Sequence, residues 1–219
     1  MQKINKGLAR RRSLKYKNWE EKLVMDGKEH PADYNYYKTD IVMDLYQCQN
    51  GVCAYTEMYI CVPELFAPSN WVKGKHKIEK PEDVKKTDHF GELEHWDPSL
   101  KKTHYWLWSN LFMIHASING LKSNKAIVDY LKPDMPDYDS AKYFDYDEKT
   151  HLFRPNTEIE DEKVRDEIQR MIDHVLFMNH GVVRRQRIEY INGLKFKKQH
   201  GQPISVDRFF TAVGVCFQD

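Results

Sequence analysis

The chain has 219 residues, of which 41% are hydrophobic, 31% charged and 13% aromatic, with a formal net charge of +1. A chain of this length buries roughly 70% of its unfolded surface and needs no disulfide staple, while its aromatic content excludes a disordered polymer. Ten Gly and nine Pro exclude a collagen-like or linker-dominated chain, no run reaches the ~18 apolar residues of a membrane helix, and the basic start MQKINKGLARRR has no apolar stretch behind it to make a secretory signal.

In chain order, residues 35–49 place Tyr37, Ile41, Leu45 and Cys48 at helix spacing, with Gly51 as a stop. Residues 52–62 (VCAYTEMYICV) are β-rich and predict a short hairpin or knuckle. Residues 67–90 are rich in Pro, Lys and Asp, the composition of an irregular insertion. HFGELEHWDP predicts a second short strand pair closed by Pro98. From Asn110, NLFMIHASINGLKSNKAIVDYL is helical in composition, weakened at Gly120. A small hairpin is predicted around Asp147–Thr150. The strongest helix signal is TEIEDEKVRDEIQRMIDHVLFMN. There Thr157 and Glu160 form a capping-box pattern, and Ile159, Val164, Ile168, Met171, Ile172, Val175 and Leu176 line one face. The expected fold is α+β, a mainly helical single domain over residues 1–219. Its parts are a basic helical stretch at 1–50, a central part at 51–130, and a hairpin and helices at 131–219.

Charge is segregated along the chain. Lys3, Lys6, Arg10, Arg11, Arg12, Lys15, Lys17 and Lys22 face only Glu20 and Glu21 within residues 1–23, and Arg184, Arg185, Arg187, Lys195, Lys197 and Lys198 face only Glu189 within 182–200. Residues 134–167 hold twelve acids and five bases. Basic ends that meet would attract phosphate; taken one at a time, such runs are also ordinary solvated surface. Arg10, Arg11, Arg12, Arg184, Arg185 and Arg187 are the candidate nucleic-acid contacts. Cys48, Cys53, Cys61 and Cys216 are too few for a disulfide framework and read as buried or free thiols of a reducing, cytoplasmic compartment.

The chemistry concentrates in residues 92–122. On a strand, Glu92 and Glu94 share a face and His95 points the other way, unless a bulge brings it back. On the helix predicted from Asn110, Asn110 and Asn119 are nine residues apart and lie on opposite faces. Carboxylate and amide oxygens are hard ligands suited to Mg²⁺ or Mn²⁺, and a neutral His beside such an ion can take a proton from water. That is the equipment for single-metal phosphodiester hydrolysis. An Asn at a helix start is also a common cap, so these residues by themselves leave the chemistry open.

The run Glu94-His95, Trp96-Asp97-Pro98, Asn110-Leu111, then Asn119-Gly-Leu-Lys122 resembles the HNH (ββα-metal) endonuclease motif. The opening Ile4-Asn5-Lys6-Gly7, the Gly51–Glu57 segment, the Tyr143–Pro155 stretch and the ending Leu176–His180 followed by Arg184, Arg185 and Arg187 extend the likeness to the PtuB-like HNH nuclease subunits of Septu-type and retron-associated anti-phage systems. The resemblance implies a ββα-metal core within 51–130. It makes His95 the general base, Asn110 the holder of its loop, and Glu94 and Asn119 the ligands of one Mg²⁺ or Mn²⁺. Glu92, Glu57 and Lys122 are supporting candidates. It also implies nucleic acid as substrate and an ABC/SMC-like ATPase subunit as partner, with a retron reverse transcriptase and its DNA–RNA hybrid as a further one, and no membrane. Relatives often carry two Cys-x-x-Cys knuckles for structural zinc. Here only Cys53 and His115 remain at those places, so no structural Zn²⁺ is expected and Ile118 is expected in the core. Glu94 also stands where Asp is commoner. Trp96, His104, Tyr105, Trp106 and Trp108 crowd this region and are expected mainly to pack the loop. The alternative is a nucleic-acid-binding or partner-interaction subunit with a degenerate, inactive site.

Overall fold

The computed structural model describes residues 1–9, 14–27, 38–77 and 89–217. The fold is α+β. Its contacts group into two compact units interleaved in sequence, where the sequence reading has one continuous domain: one of Ile4–Cys53 and Ile60–Asn119, the other of Met1–Lys3, Ala54–Tyr59 and Gly120–Asp219. Among the described residues no helix is long and apolar enough to cross a membrane.

The first unit opens with a 3-10 turn at Lys6–Leu8, capped by the Asn5 side chain accepting from the Gly7 N–H. Helix α1 (Leu14–Met25) follows, then α2 (Lys38–Cys48). The expected helical spacing is seen at Ile41, Leu45 and Cys48, all buried; Tyr37 lies outside the described residues. Residues 41–46 of α2 are buried in sequence, which marks an interior helix covered on every side. It packs against α3 (Pro63–Phe66), β2 (Lys75–His76) and β4 (Leu111–His115). Within the stretch read as irregular, β1 (Trp71–Val72) and β2 form a hairpin whose turn residues Lys73 and Gly74 have φ of 50° and 77°, the left-handed pair such a two-residue loop demands. The β-rich run at 52–62 forms no strand ladder: it turns at 54–56 between the bridge residues Val52 and Tyr59, and Cys61 bridges to His89.

Strand β3 (Gly91–His95) pairs antiparallel with β4, Glu92 opposite Ile114 and Glu94 opposite Phe112. The helix expected from Asn110 starts only at α4 (Ala116–Lys122). Leu111, Phe112, Met113 and Ile114 are all at most 1% exposed, so this strand is covered on both faces and its apolar run lacks the alternation that distinguishes strand from helix. One edge of β4 meets a side chain. Gln49 accepts from Met113 N–H at 2.8 Å and donates Nε2–H to Met113 C=O at 2.7 Å and Val52 C=O at 2.9 Å. Gly91 is required at the start of β3, because a Cβ there would lie 2.2 Å from the Tyr46 hydroxyl.

In the second unit, β5 (Phe144–Asp147) and β6 (Leu152–Pro155) form the hairpin expected around 147–150, with Phe144, Tyr146 and Phe153 buried. Helix α5 (Glu162–His174) packs on β6 and buries Ile168, Met171 and Ile172. Its cap is Asp161, which accepts from Lys163 N–H at 2.9 Å. Thr157 of the expected capping box instead donates its N–H and hydroxyl to Asp145. Asn179 accepts from Phe153 N–H and donates to Phe153 C=O, both at 2.9 Å. Helices α6 (Gly181–Gln199) and α7 (Phe210–Cys216) complete the unit.

Candidate active site

The residues Glu92, Glu94, His95, Asn110 and Asn119 all belong to the first unit, on a strand–loop–strand–helix run of β3, residues 96–110, β4 and α4. His95 ends β3 and is half-buried. Trp96 N–H donates to Asn110 C=O at 2.9 Å, which continues the strand pairing by one step. The Asn110 side chain then grips the next residue: its Oδ1 accepts from Asp97 N–H at 2.8 Å and its Nδ2 donates to Asp97 C=O at 3.0 Å. Asn110 is 4% exposed and sits before β4, not on a helix with Asn119. Asp97 in turn caps the 3-10 turn Pro98–Lys102, accepting from Ser99 N–H at 2.8 Å. Both ends of the loop that follows His95 are therefore fixed by hydrogen bonds.

The imidazole is oriented from across that loop. His95 Nε2 lies 2.7 Å from the carbonyl of Tyr105. A carbonyl only accepts, so Nε2 carries the proton, and the neutral ring has its lone pair at Nδ1. Trp96 and Trp106 are each 1% exposed and pack the loop, as does Phe112 against Trp96 at 5.7 Å. His104 lies 5.6 Å from the Trp106 ring.

Glu92 and Glu94 share the other face of β3, roughly 6.6 Å apart along the strand at ~3.3 Å per residue. Glu92 is exposed, and Asn119 Nδ2 donates to it at 2.9 Å. Glu94 is wholly buried, with Lys101 Nζ at 3.9 Å. Its cross-strand neighbour Phe112 carries Lys6 Nζ over its ring at 3.6 Å. The partner that Asn119 meets is thus Glu92, two positions before the expected Glu94. The donors on this face are carboxylate and amide oxygens, which fit Mg²⁺ or Mn²⁺ in kind. His115, at the end of β4, accepts at Nδ1 from the Ser117 hydroxyl at 2.8 Å. Burial holds its imidazole below the ordinary value, against the opposing pull of Glu92. Cys48, Cys53 and Cys61 are buried and in no disulfide, and Ile118 is 1% exposed. Among the described residues no three His, Cys, Asp or Glu side chains form a group able to hold a metal ion.

Two supporting candidates and one candidate nucleic-acid contact have other surroundings. Glu57 belongs to the second unit, 3% exposed, where it accepts from the N–H and hydroxyl of Thr211. Lys122 is wholly buried, which removes it as a surface phosphate contact. Arg187 is 1% exposed, donates to the carbonyls of Met178 and His151, and stacks 4.8 Å over Phe153. It is a core residue of the second unit and not part of a phosphate-facing row. Arg184 donates to Thr150 C=O at 2.7 Å, and exposed Arg185 pairs with Glu189 at 2.5 Å. Arg10, Arg11 and Arg12 lie outside the described residues. The sequence reading took Tyr105 only as a packing aromatic, not as the carbonyl that meets His95, and missed Lys101, which one signal could have flagged: it is a basic residue inside the motif loop.

No family model matches the chain, and no curated protein matches it.

Proposed function

We propose that this chain is a metal-dependent endonuclease of the HNH (ββα-metal) type, with β3, the 96–110 loop, β4 and α4 as its catalytic core, hydrolysing phosphodiester bonds of nucleic acid. The observation that carries the proposal is the bond from His95 Nε2 to the Tyr105 carbonyl, because it turns the lone pair of the neutral ring to Nδ1. His95 takes a proton from water at that nitrogen as the water oxygen attacks phosphorus. The bond from phosphorus to the leaving oxygen breaks, and the proton held on the ring is returned to solvent or product. Asn110 keeps the backbone beyond His95 in place through Asp97. Glu94 and Asn119, with Glu92 beside Asn119, are the residues that would hold one Mg²⁺ or Mn²⁺. When bound, such an ion polarises the phosphoryl oxygen and offsets charge on the leaving oxygen. Plasmid and RNA cleavage with Mg²⁺ or Mn²⁺, wild type against His95→Ala, tests the reading: cleavage is expected to fall at least a hundredfold, within the range assigned to general-base catalysis. Equal cleavage by both proteins removes His95 as the base.

The role of nuclease subunit in an anti-phage complex with an ABC/SMC-like ATPase rests on the sequence resemblance alone, and co-purification with such a partner is its test; a cytoplasmic setting rests on the cysteine usage. A second reading has one structural observation in its favour. Glu94 is fully buried beside Lys101, and Asn119 bonds to Glu92. A subunit that binds nucleic acid through its basic segments without cutting it would fit that arrangement. Salt-sensitive binding with no metal-supported cleavage would establish it.

A further inference from the structure

The carbonyl that orients His95 lies in a turn whose backbone is held from elsewhere in the same unit. Tyr16 of α1 is wholly buried and donates its hydroxyl to the carbonyl of Trp106, one peptide beyond Tyr105. Glu20, one turn further along α1, accepts from Trp108 N–H at 2.8 Å. Lys6 donates to the carbonyls of Trp108 and Ser109, each at 3.1 Å. Trp19 fills the gap between them, 6.0 Å edge-on to Trp106 and 5.6 Å from Tyr16. Four backbone groups between Trp106 and Ser109 are thus bonded by three side chains that precede them by 88 to 103 residues in sequence.

We propose that Lys6 and the inner face of α1 are positioning elements for His95: Tyr16, Glu20 and Lys6 fix the 105–109 turn so that the Tyr105 carbonyl selects the Nε2-protonated ring. The contacts of all three are with the turn, and the turn's Tyr105 carbonyl is what meets the imidazole. Spacing along the chain carries no sign of this, because the atoms held are backbone. A turn released at Trp106 and Trp108 can swing the Tyr105 carbonyl away, and Nε2 then loses the acceptor that favours its protonation. Misplacement of a reacting group by about 1 Å can cost a hundredfold in rate.

The activity arm of the test rests on the nuclease reading; the spectroscopic arm does not. Long-range ¹H–¹⁵N spectra of the full chain labelled at histidine, recorded where the rings are neutral, report the tautomer of His95, assigned by its loss in His95→Ala. Wild type is expected to show the Nε2–H form alone. Tyr16→Phe and Glu20→Ala are expected to populate the Nδ1–H form measurably and to lower kcat about tenfold or more, with KM within twofold. Glu20→Gln, whose amide oxygen can still accept from Trp108 N–H, is expected to restore both. If cleavage is absent even in wild type, the nuclease reading fails while the tautomer comparison still decides the positioning role. An unchanged tautomer in Tyr16→Phe and Glu20→Ala overturns the proposal, whether or not their melting temperatures fall. So does a wild-type ring protonated at Nδ1.

Discussion

Replacing Gln49 tests what holds the strand on which the site is built. Its side chain is 0% exposed and makes three hydrogen bonds, of 2.7, 2.8 and 2.9 Å, to Met113 C=O, Met113 N–H and Val52 C=O. In Gln49→Met, of similar length, all three are lost and the backbone groups of Met113 and Val52 stay buried. At about 1–1.5 kcal/mol for each net bond, the expected loss is about 3–4.5 kcal/mol. Gln49→Glu keeps the shape and the acceptor for Met113 N–H but turns oxygen, not N–H, toward two carbonyls. A carboxylate there is favoured in its protonated form, which recovers one donor. Its folded pKa therefore lies above the unfolded value, so the stabilising state is present at low pH and lost as pH rises. The deficit of Gln49→Glu against wild type is expected to exceed that of Gln49→Met at pH 7.5 and to shrink by pH 5. Urea unfolding followed by tryptophan fluorescence at both pH values measures this, with amide exchange at Met113 as the local reporter. A Gln49→Met variant within about 1 kcal/mol of wild type, below the worth of one buried bond, refutes the reasoning. A Glu deficit that widens on acidification refutes it equally.

Asn110→Asp exchanges the donor to Asp97 C=O for an acceptor at nearly constant volume; a destabilisation of about 2 kcal/mol and a fall in cleavage of about tenfold or more are expected, read by urea unfolding and by initial rates, and unchanged stability would mean the paired bonds to Asp97 are dispensable. In the second unit, burial first and then Arg187, Lys195 and Arg184 hold the His151 imidazole below its ordinary value, against Glu148, and its Nδ1 faces the Tyr146 hydroxyl at 2.6 Å. A ring whose folded pKa is depressed contributes stability above its unfolded pKa of 6.5 and loses it as pH falls through the lowered value. His151→Asn, which tolerates the left-handed φ of 55°, is therefore expected to lag wild type at pH 7.5 and to close the gap at pH 5 in the same unfolding assay; a constant gap removes the imidazole from the pH response.

What the sequence disclosed depended on whether burial was one-sided. Helix α5 and the β5–β6 hairpin each keep a polar side, so their periodicity survives in the chain: Ile168, Met171 and Ile172 are spaced for a helix, and Phe144 and Tyr146 alternate with Asp145 and Asp147. Strand β4 has no polar side, and its Leu-Phe-Met-Ile run joined smoothly onto the residues of α4 to read as one long helix. The site was legible in the same uneven way. Glu94, His95 and Asn110 stand out as residue types at a spacing, whereas the Tyr105 carbonyl that faces His95 could come from any residue. Glu57 and Lys122 were read as supporting residues of the site and Arg187 as a nucleic-acid contact, roles that need an accessible charge, which is the usual state of charged side chains; all three are at most 3% exposed. Glu57 also lies in a six-residue segment grouped with residues 120–219 and not with its sequence neighbours, a placement that depends on long-range contacts and leaves no local pattern.

A recurring device links fold and site. Gln49, Asn110 and Asn179 each use one planar amide to accept from the N–H and donate to the C=O of a single residue, respectively Met113, Asp97 and Phe153. Among the described residues every sheet has two strands, so each strand has an outer edge whose backbone groups need partners or water. A side-chain amide supplies both halves of a strand pairing in the peptide's own geometry and then ends, without offering a further edge to template another strand. That lets β3–β4 remain two short strands with β4 buried, which a continuing sheet would not permit beside α2. At Asn110 the same device acts one step past the strand, on the loop after His95, where it fixes a turn instead of an edge. Exchanging that amide for a carboxylate reverses the polarity of one contact while keeping its shape, so the order of the loop depends there on a hydrogen-bond donor and not on the volume the side chain fills.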